Sequence, residues 1–118
     1  MTPIGIAVVG AGYWGPNLVR NLQASPEFRL RWLCDLDEER AKRVLGPYST
    51  VRTTSSLDEV LSDPEVQAVA VATPARTHLG VAKQALEAGR HVLVEKPLAS
   101  TYEEGLELVR LAERLDLR

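Results

Sequence analysis

The chain has 118 residues, 45% hydrophobic and 25% charged, with 16 acidic against 14 basic side chains and a net charge of −2. Charges of both signs are scattered, which excludes the clustered Lys and Arg of a nucleic-acid groove or an anionic membrane surface. The lone cysteine, Cys34, excludes a disulfide framework or cysteine zinc cluster, and no apolar run approaches the ~20 residues of a membrane span.

A single domain over 1–118 fits this length. The apolar opening "MTPIGIAVVGAG" lacks the basic start and cleavage site of a signal peptide, so a cytoplasmic protein is expected. In chain order, "IGIAVV" (Ile4–Val9) reads as a strand buried on both faces. A helix follows from about Tyr13 to Ala24, with Leu18, Val19 and Leu22 on one side and Pro16 in its first turn. "RLRWLC" (Arg29–Cys34) is the second strand, and "DEERAKRVL" (Asp37–Leu45) the second helix, ending near Gly46 and Pro47. "TVRTT" (Thr50–Thr54) is a short third strand, and Ser56 and Glu59 have capping-box spacing for the brief helix "LDEVL". "QAVAVAT" (Gln67–Thr73) is the fourth strand, with a helix from about Thr77 to Ala88 that Gly89 can end. "HVLVE" (His91–Glu95) is the fifth, and a last helix starts near Ser100, spaced to Glu103 as a capping box, and runs to about Leu115.

Five strands alternating with helices predict parallel βαβ units with right-handed crossovers. The fold class is therefore α/β, a doubly wound parallel sheet with helices on both faces. Ligands of such sheets lie outside the carboxyl ends of the strands. That places the candidate site at Gly10–Gly15, Asp35, Thr53–Ser56, Thr73–His78 and Glu95–Pro97.

Gly10-Ala11-Gly12-Tyr13-Trp14-Gly15 fits G-x-G-x-x-G directly after a strand and at the start of a helix. The first glycine permits a tight turn, the second admits a pyrophosphate to the backbone, and the third packs helix on sheet. Exposed N–H groups and the positive helix end then favour an anion. Asp35 lies 20 residues beyond Gly15, the offset at which a carboxylate meets the adenosine ribose. An acid there accepts from both ribose hydroxyls and repels a 2′-phosphate, so NAD is expected over NADP. Asp37 is better placed than Asp35 to cap the second helix. Arg40 lies over the adenine, meets a phosphate, or is a solvated helix arginine. Tyr13 and Trp14 are compatible with packing under a cofactor, facing a substrate, or contacting the neighbouring helix. A methyltransferase-type sheet is disfavoured, because its acid just before the glycines is replaced here by Val8 and Val9.

The whole chain, most specifically at Thr73–Ala99, resembles the amino-terminal cofactor domain of the Gfo/Idh/MocA oxidoreductases, a Rossmann fold. The signs are the glycine turn, Thr73-Pro74, His78 and above all Glu95-Lys96-Pro97. "GYWGPNLVRN" further resembles members acting on nucleotide-linked amino sugars. The resemblance implies Thr73 and Pro74 near the nicotinamide ribose, Glu95 beside that ribose, and Lys96 beside the substrate hydroxyl as general base or proton relay. Partial burial and a positive nicotinamide would favour the neutral amine that such a base requires. His78 is counted with the cofactor-binding residues, though a lone histidine one turn into a helix suits capping or packing better than catalysis. His91 carries no assigned chemistry.

Members of the family continue into a sixth strand and an α+β substrate domain, which is absent from this sequence. Its absence predicts cofactor binding without turnover, with a sugar, nucleotide sugar or polyol as substrate only in a longer enzyme. It also predicts a bare edge at "HVLVE". Two apolar stripes on the last helix (Tyr102, Leu106, Val109 and Ala112; Leu108, Leu111 and Leu115) predict an interface, with the missing domain or with a second copy in a homo-oligomer. The alternative is a non-catalytic NAD-sensing or assembly module, against which a proton-transfer lysine argues.

Overall fold

Strand β1 (Ile4–Val9) occupies the centre of a five-stranded parallel sheet in the computed structural model, which describes residues 2–118. On one side of it lie β2 (Phe28–Cys34) and then β3 (Arg52–Thr54); on the other lie β4 (Ala68–Val71) and then β5 (His91–Val94). All five strands run the same way, and the order in which they are added reverses between β1 and β4, which is where a doubly wound fold opens a crevice. The register brings Thr54, Cys34, Val9, Val71 and Val94 into one row. The residues that follow them (Ser55, Asp35, Gly10, Ala72 and Glu95) therefore leave the sheet along one edge.

Alternation along β1 divides the core. Ile6 and Val8 pack with Val19 and Leu22 of α1 (Gly15–Ala24) and Ala41 of α2 (Glu38–Leu45). Ala7 and Val9 face the opposite layer, with Val60 of α3 (Leu57–Leu61) and Ala85 of α4 (His78–Glu87). Ala82 and Leu86 of α4 meet Leu108 and Leu111 of α5 (Tyr102–Arg114) in an adjoining cluster. A β-bulge in β2 at Arg31 keeps the faces in phase: Ile6 pairs with Leu30 and Ala7 with Trp32.

The expected order of elements is the observed one, with shifted ends. The first helix begins at Gly15 rather than Tyr13, because Gly10–Trp14 forms the turn. A 3₁₀ turn, Ala75–Thr77, precedes α4. Asp37 caps α2 by accepting from the Arg40 N–H, and Ser56 caps α3 as its spacing indicates. At α5 the cap is Thr101, accepting from the Glu104 N–H, and not Ser100. Glu104 instead reaches back to the Ser100 N–H at 3.3 Å.

The fifth strand lies at the sheet edge, as expected. It is half-exposed, with Leu93 54% exposed, because only one of its faces is covered. Its edge is not wholly bare: the Val92 N–H donates to the Arg118 carbonyl oxygen at 2.8 Å. On α5 the stripe of Leu108 and Leu111 is buried, while Tyr102, Val109 and Leu115 stand exposed. No helix among the described residues is long and apolar enough to cross a membrane.

Candidate functional site

A groove of about 720 Å³ runs along the carboxyl edge of the sheet. Its walls are the glycine turn after β1, Asp35 after β2, Thr73–Thr77 after β4 and Glu95–Pro97 after β5. Connections that are distant in sequence meet here because parallel strands all deliver their carboxyl ends to one side.

The three glycines of the turn have different reasons to be glycine. Gly10 has φ +108°, and a Cβ on it would lie 2.7 Å from the Ala72 carbonyl carbon. A Cβ on Gly15 would overlap the Gly10 carbonyl oxygen. The fold demands both. Around Gly12 a Cβ would meet nothing within 4 Å, so the protein itself gives no reason for that glycine; it keeps a patch of groove floor clear. Among the described residues the backbone N–H groups of Gly12, Tyr13 and Trp14 donate to no protein acceptor, whereas Gly10 N–H is bonded to the Cys34 carbonyl. Unpaired N–H groups at the start of a helix, beside an uncovered backbone, fit a pyrophosphate.

Tyr13 and Trp14 form an edge-to-face pair with ring centroids 5.7 Å apart. Tyr13 is 90% and Trp14 45% exposed, and both border the groove. Their exposure sets aside the reading in which both rings pack on the neighbouring helix.

Asp35 is buried, and its carboxylate is heavily engaged. One oxygen accepts from the Ala11 N–H at 2.7 Å, the other from the Asp37 N–H at 2.8 Å, and Arg40 Nη2 donates to both at 3.0 Å. Burial works against the charged form, but the Ala11 and Asp37 N–H groups and the Arg40 guanidinium outweigh it and hold the carboxyl below its ordinary range. Asp35 thus ties the glycine turn to the start of α2. Arg40 lines the groove with its guanidinium on Asp35, rather than lying free in solvent. Cys34 beside it is buried; desolvation, then the charges of Asp35, Glu59 and Glu38, push its thiol up to about 11. It stays an inert thiol at neutral pH.

On the far side the Thr77 hydroxyl lies 2.6 Å from both the Thr73 hydroxyl and the Pro74 carbonyl oxygen, which fixes that turn. Pro74 is exposed at the rim. His78 is 1% exposed, with Nδ1 2.8 Å from the Pro97 carbonyl oxygen and Nε2 2.8 Å from that of Thr73. Both ring nitrogens are engaged by backbone, so neither is left for a cofactor. Glu95 is half-buried and Lys96 exposed. The partial burial expected for Lys96 is absent, because the edge strand β5 delivers it to open groove. The two do not pair with each other, and Lys96 forms no ion pair among the described residues.

Sequence motifs missed part of the wall. Val81 and Gln84, one and two turns beyond His78 on α4, line the groove together with Leu57 of α3. Helical spacing from His78 was the available signal. Among the described residues no group of His, Cys, Asp or Glu is arranged to hold a metal ion.

Comparison with known proteins matches this geometry. The Gfo/Idh/MocA family model, "Oxidoreductase family, NAD-binding Rossmann fold", matches residues 4–118. Inositol 2-dehydrogenase 2 of Paenarthrobacter aurescens is 38% identical over 108 residues, covering 91% of this chain and 32% of that protein. The crystal structure of GenD2 from gentamicin A biosynthesis, in complex with NAD, superposes with a TM-score of 0.94 at 39% identity, over 99% of this chain and 33% of that one. KijD10, a 3-ketoreductase from Actinomadura kijaniata in complex with TDP-benzene and NADP, gives 0.90 at 28% identity, over 98% and 37%. The chain therefore spans about a third of the length of the proteins it matches.

Proposed function

This chain belongs to the Gfo/Idh/MocA oxidoreductases, and on that premise we propose that it is the NAD-binding part of an enzyme that oxidises or reduces a sugar, nucleotide sugar or polyol. The observation that carries the proposal is the clear backbone at Gly12, with unpaired N–H groups around it, in a turn whose other two glycines the fold explains. A bound nicotinamide dinucleotide would supply the hydride acceptor or donor.

The chain's own residues would do the rest. The Gly12–Trp14 backbone holds the pyrophosphate, with the edge-to-face aromatic pair at its side. Asp35, in line with the adenosine ribose, favours NAD over NADP. Thr73 and Pro74 border the nicotinamide ribose together with Glu95. Lys96, at the open end of the groove, takes the proton from a substrate hydroxyl or returns it to a carbonyl. The chain spans about a third of the length of these relatives, and substrate recognition is not assigned to its residues. The chain by itself would bind cofactor without turnover.

A fluorescence titration tests the reading. Trp14 borders the groove and Trp32 is buried in β2 as a distant reference. Saturable NADH binding is expected, and Gly12→Val should abolish it with little change in the thermal transition, since the Cβ it adds meets nothing within 4 Å. Binding that survives Gly12→Val, or no binding by the native chain, would sink the proposal.

A further inference from the structure

The contacts of His78 are unusual for a buried histidine. Each of its ring nitrogens lies 2.8 Å from a backbone carbonyl oxygen, that of Pro97 at Nδ1 and that of Thr73 at Nε2. A carbonyl oxygen only accepts. Neutral imidazole has one N–H and one lone pair, so it bonds one of these oxygens and turns a lone pair toward the other, a repulsive contact. The imidazolium donates at both nitrogens and completes the pair. The two oxygens belong to the turn after β4 and the loop after β5, and among the described residues no other side chain bonds both segments.

We propose that His78 is a positioning residue: it clamps the Glu95–Lys96–Pro97 loop to the Thr73–Pro74 turn, and the clamp closes when the ring is protonated. The clamp stands on the contacts alone. Its consequence for cofactor affinity rests on the function proposed above.

The charged groups on the surrounding segments are few. Arg76 lies on the preceding turn, Glu95 and Lys96 on the loop that is held, and Glu103 and Glu104 in the first turn of α5. Lys83 and Glu107 pair with each other across α4 and α5 at 3.1 Å. Among the described residues none forms an ion pair with the ring. The second bond therefore exists only while both ring nitrogens carry a proton. Without it the ring no longer links the Pro97 loop to the Thr73 turn, and the backbone bond from the Glu95 N–H to the Val71 carbonyl oxygen remains.

Imidazole 1H–15N spectra of the ¹³C,¹⁵N-labelled native chain, recorded across the histidine titration, test the clamp without any variant. His91 is exposed, with Nδ1 accepting from the Arg118 N–H, and serves as the internal reference. The expected result is two protonated ring nitrogens on His78 at the acid end. As pH rises one is lost, and the carbonyl carbons of Thr73 and Pro97 shift with the same midpoint. A ring with one N–H throughout, or a titration that leaves the Pro97 carbonyl unmoved, overturns the clamp. NADH affinity on either side of that midpoint tests the consequence: at least threefold tighter binding on the acid side, lost in His78→Gln, supports it, and equal affinity overturns the coupling. Failure of NADH to bind at either pH would overturn the dinucleotide reading and the coupling together, while the ring spectra still decide the clamp.

Discussion

Arg40 Nη2 lies 3.0 Å from each carboxylate oxygen of Asp35, so the acid that would meet the adenosine ribose already carries a counter-charge. A bare Asp35 repels a 2′-phosphate; one covered by a guanidinium repels it less. The Arg40 side chain is 47% exposed in this pair, against 5% for Asp35. The arginine is the exposed partner and the aspartate the buried anchor.

Removing either partner should therefore have different effects. Arg40→Ala breaks a partly exposed ion pair and should cost at most ~1 kcal/mol of stability, while widening the preference for NADH over NADPH. Asp35→Ala leaves the buried Ala11 N–H without its acceptor, at a cost of roughly 1–3 kcal/mol, and should bring the two cofactors to similar affinity. Parallel titrations and urea unfolding of both variants check this. An unchanged NADH-to-NADPH ratio in both would remove Asp35 and Arg40 from cofactor choice.

The same aspartate makes stability depend on acid. Its carboxyl is held below the ordinary range, so the Ala11–Asp35–Asp37 tie stabilises the fold fully above about pH 4, the usual value for an unfolded aspartate. That stability is lost as pH falls through the lowered native value. Urea unfolding between about pH 5 and pH 2 should show a steeper loss in the native chain than in Asp35→Asn. Parallel curves would mean the carboxylate contributes nothing through its charge.

Gly10→Ala and Gly15→Ala should destabilise through the backbone itself. At Gly10 a side chain combines a left-handed φ with overlap on Ala72, for a cost of about 3 kcal/mol. At Gly15 it strikes the Gly10 carbonyl, so a similar loss is expected. Both variants should melt well below Gly12→Val, measured by circular dichroism. A Gly15→Ala protein as stable as the native chain would contradict the close approach of α1 to β1.

Cys34 should be nearly silent toward alkylating reagents. With its thiol pushed up to about 11 and its side chain buried, the folded chain at pH 8 should react roughly two orders of magnitude more slowly than an exposed cysteine. Reaction should become fast once urea unfolds the protein. Rapid labelling of the folded chain would show that the end of β2 opens readily.

Much of the fold was legible because its signals are local. Buried apolar runs, helical spacing, Pro16 in a first turn and glycine after a helix each act within a few residues. The glycine turn and the 20-residue offset to Asp35 announced the cofactor end of the groove in the same way. The capping of α5 was misplaced by one residue, since Ser100 and Thr101 offer equivalent hydroxyls and only the backbone path decides which precedes the helix. The partial burial of Lys96 was overstated, because the spacing of Glu95-Lys96-Pro97 carries no signal for how deep the loop after β5 lies.

The sequence by itself determined the order of elements, the doubly wound class and the identity of the turns that meet at the site. These follow from propensity and periodicity, which short-range sterics and burial impose. Tertiary structure alone decided what each side chain does at that meeting. Parallel register brings Asp35 against the Ala11 N–H, 24 residues earlier in the chain. Packing of α4 on β4 and β5 sets His78 between two carbonyls, and the position of β5 at the sheet edge leaves Lys96 in the open. Such contacts depend on strand order and the depth at which helices dock, and neither is written in any one segment.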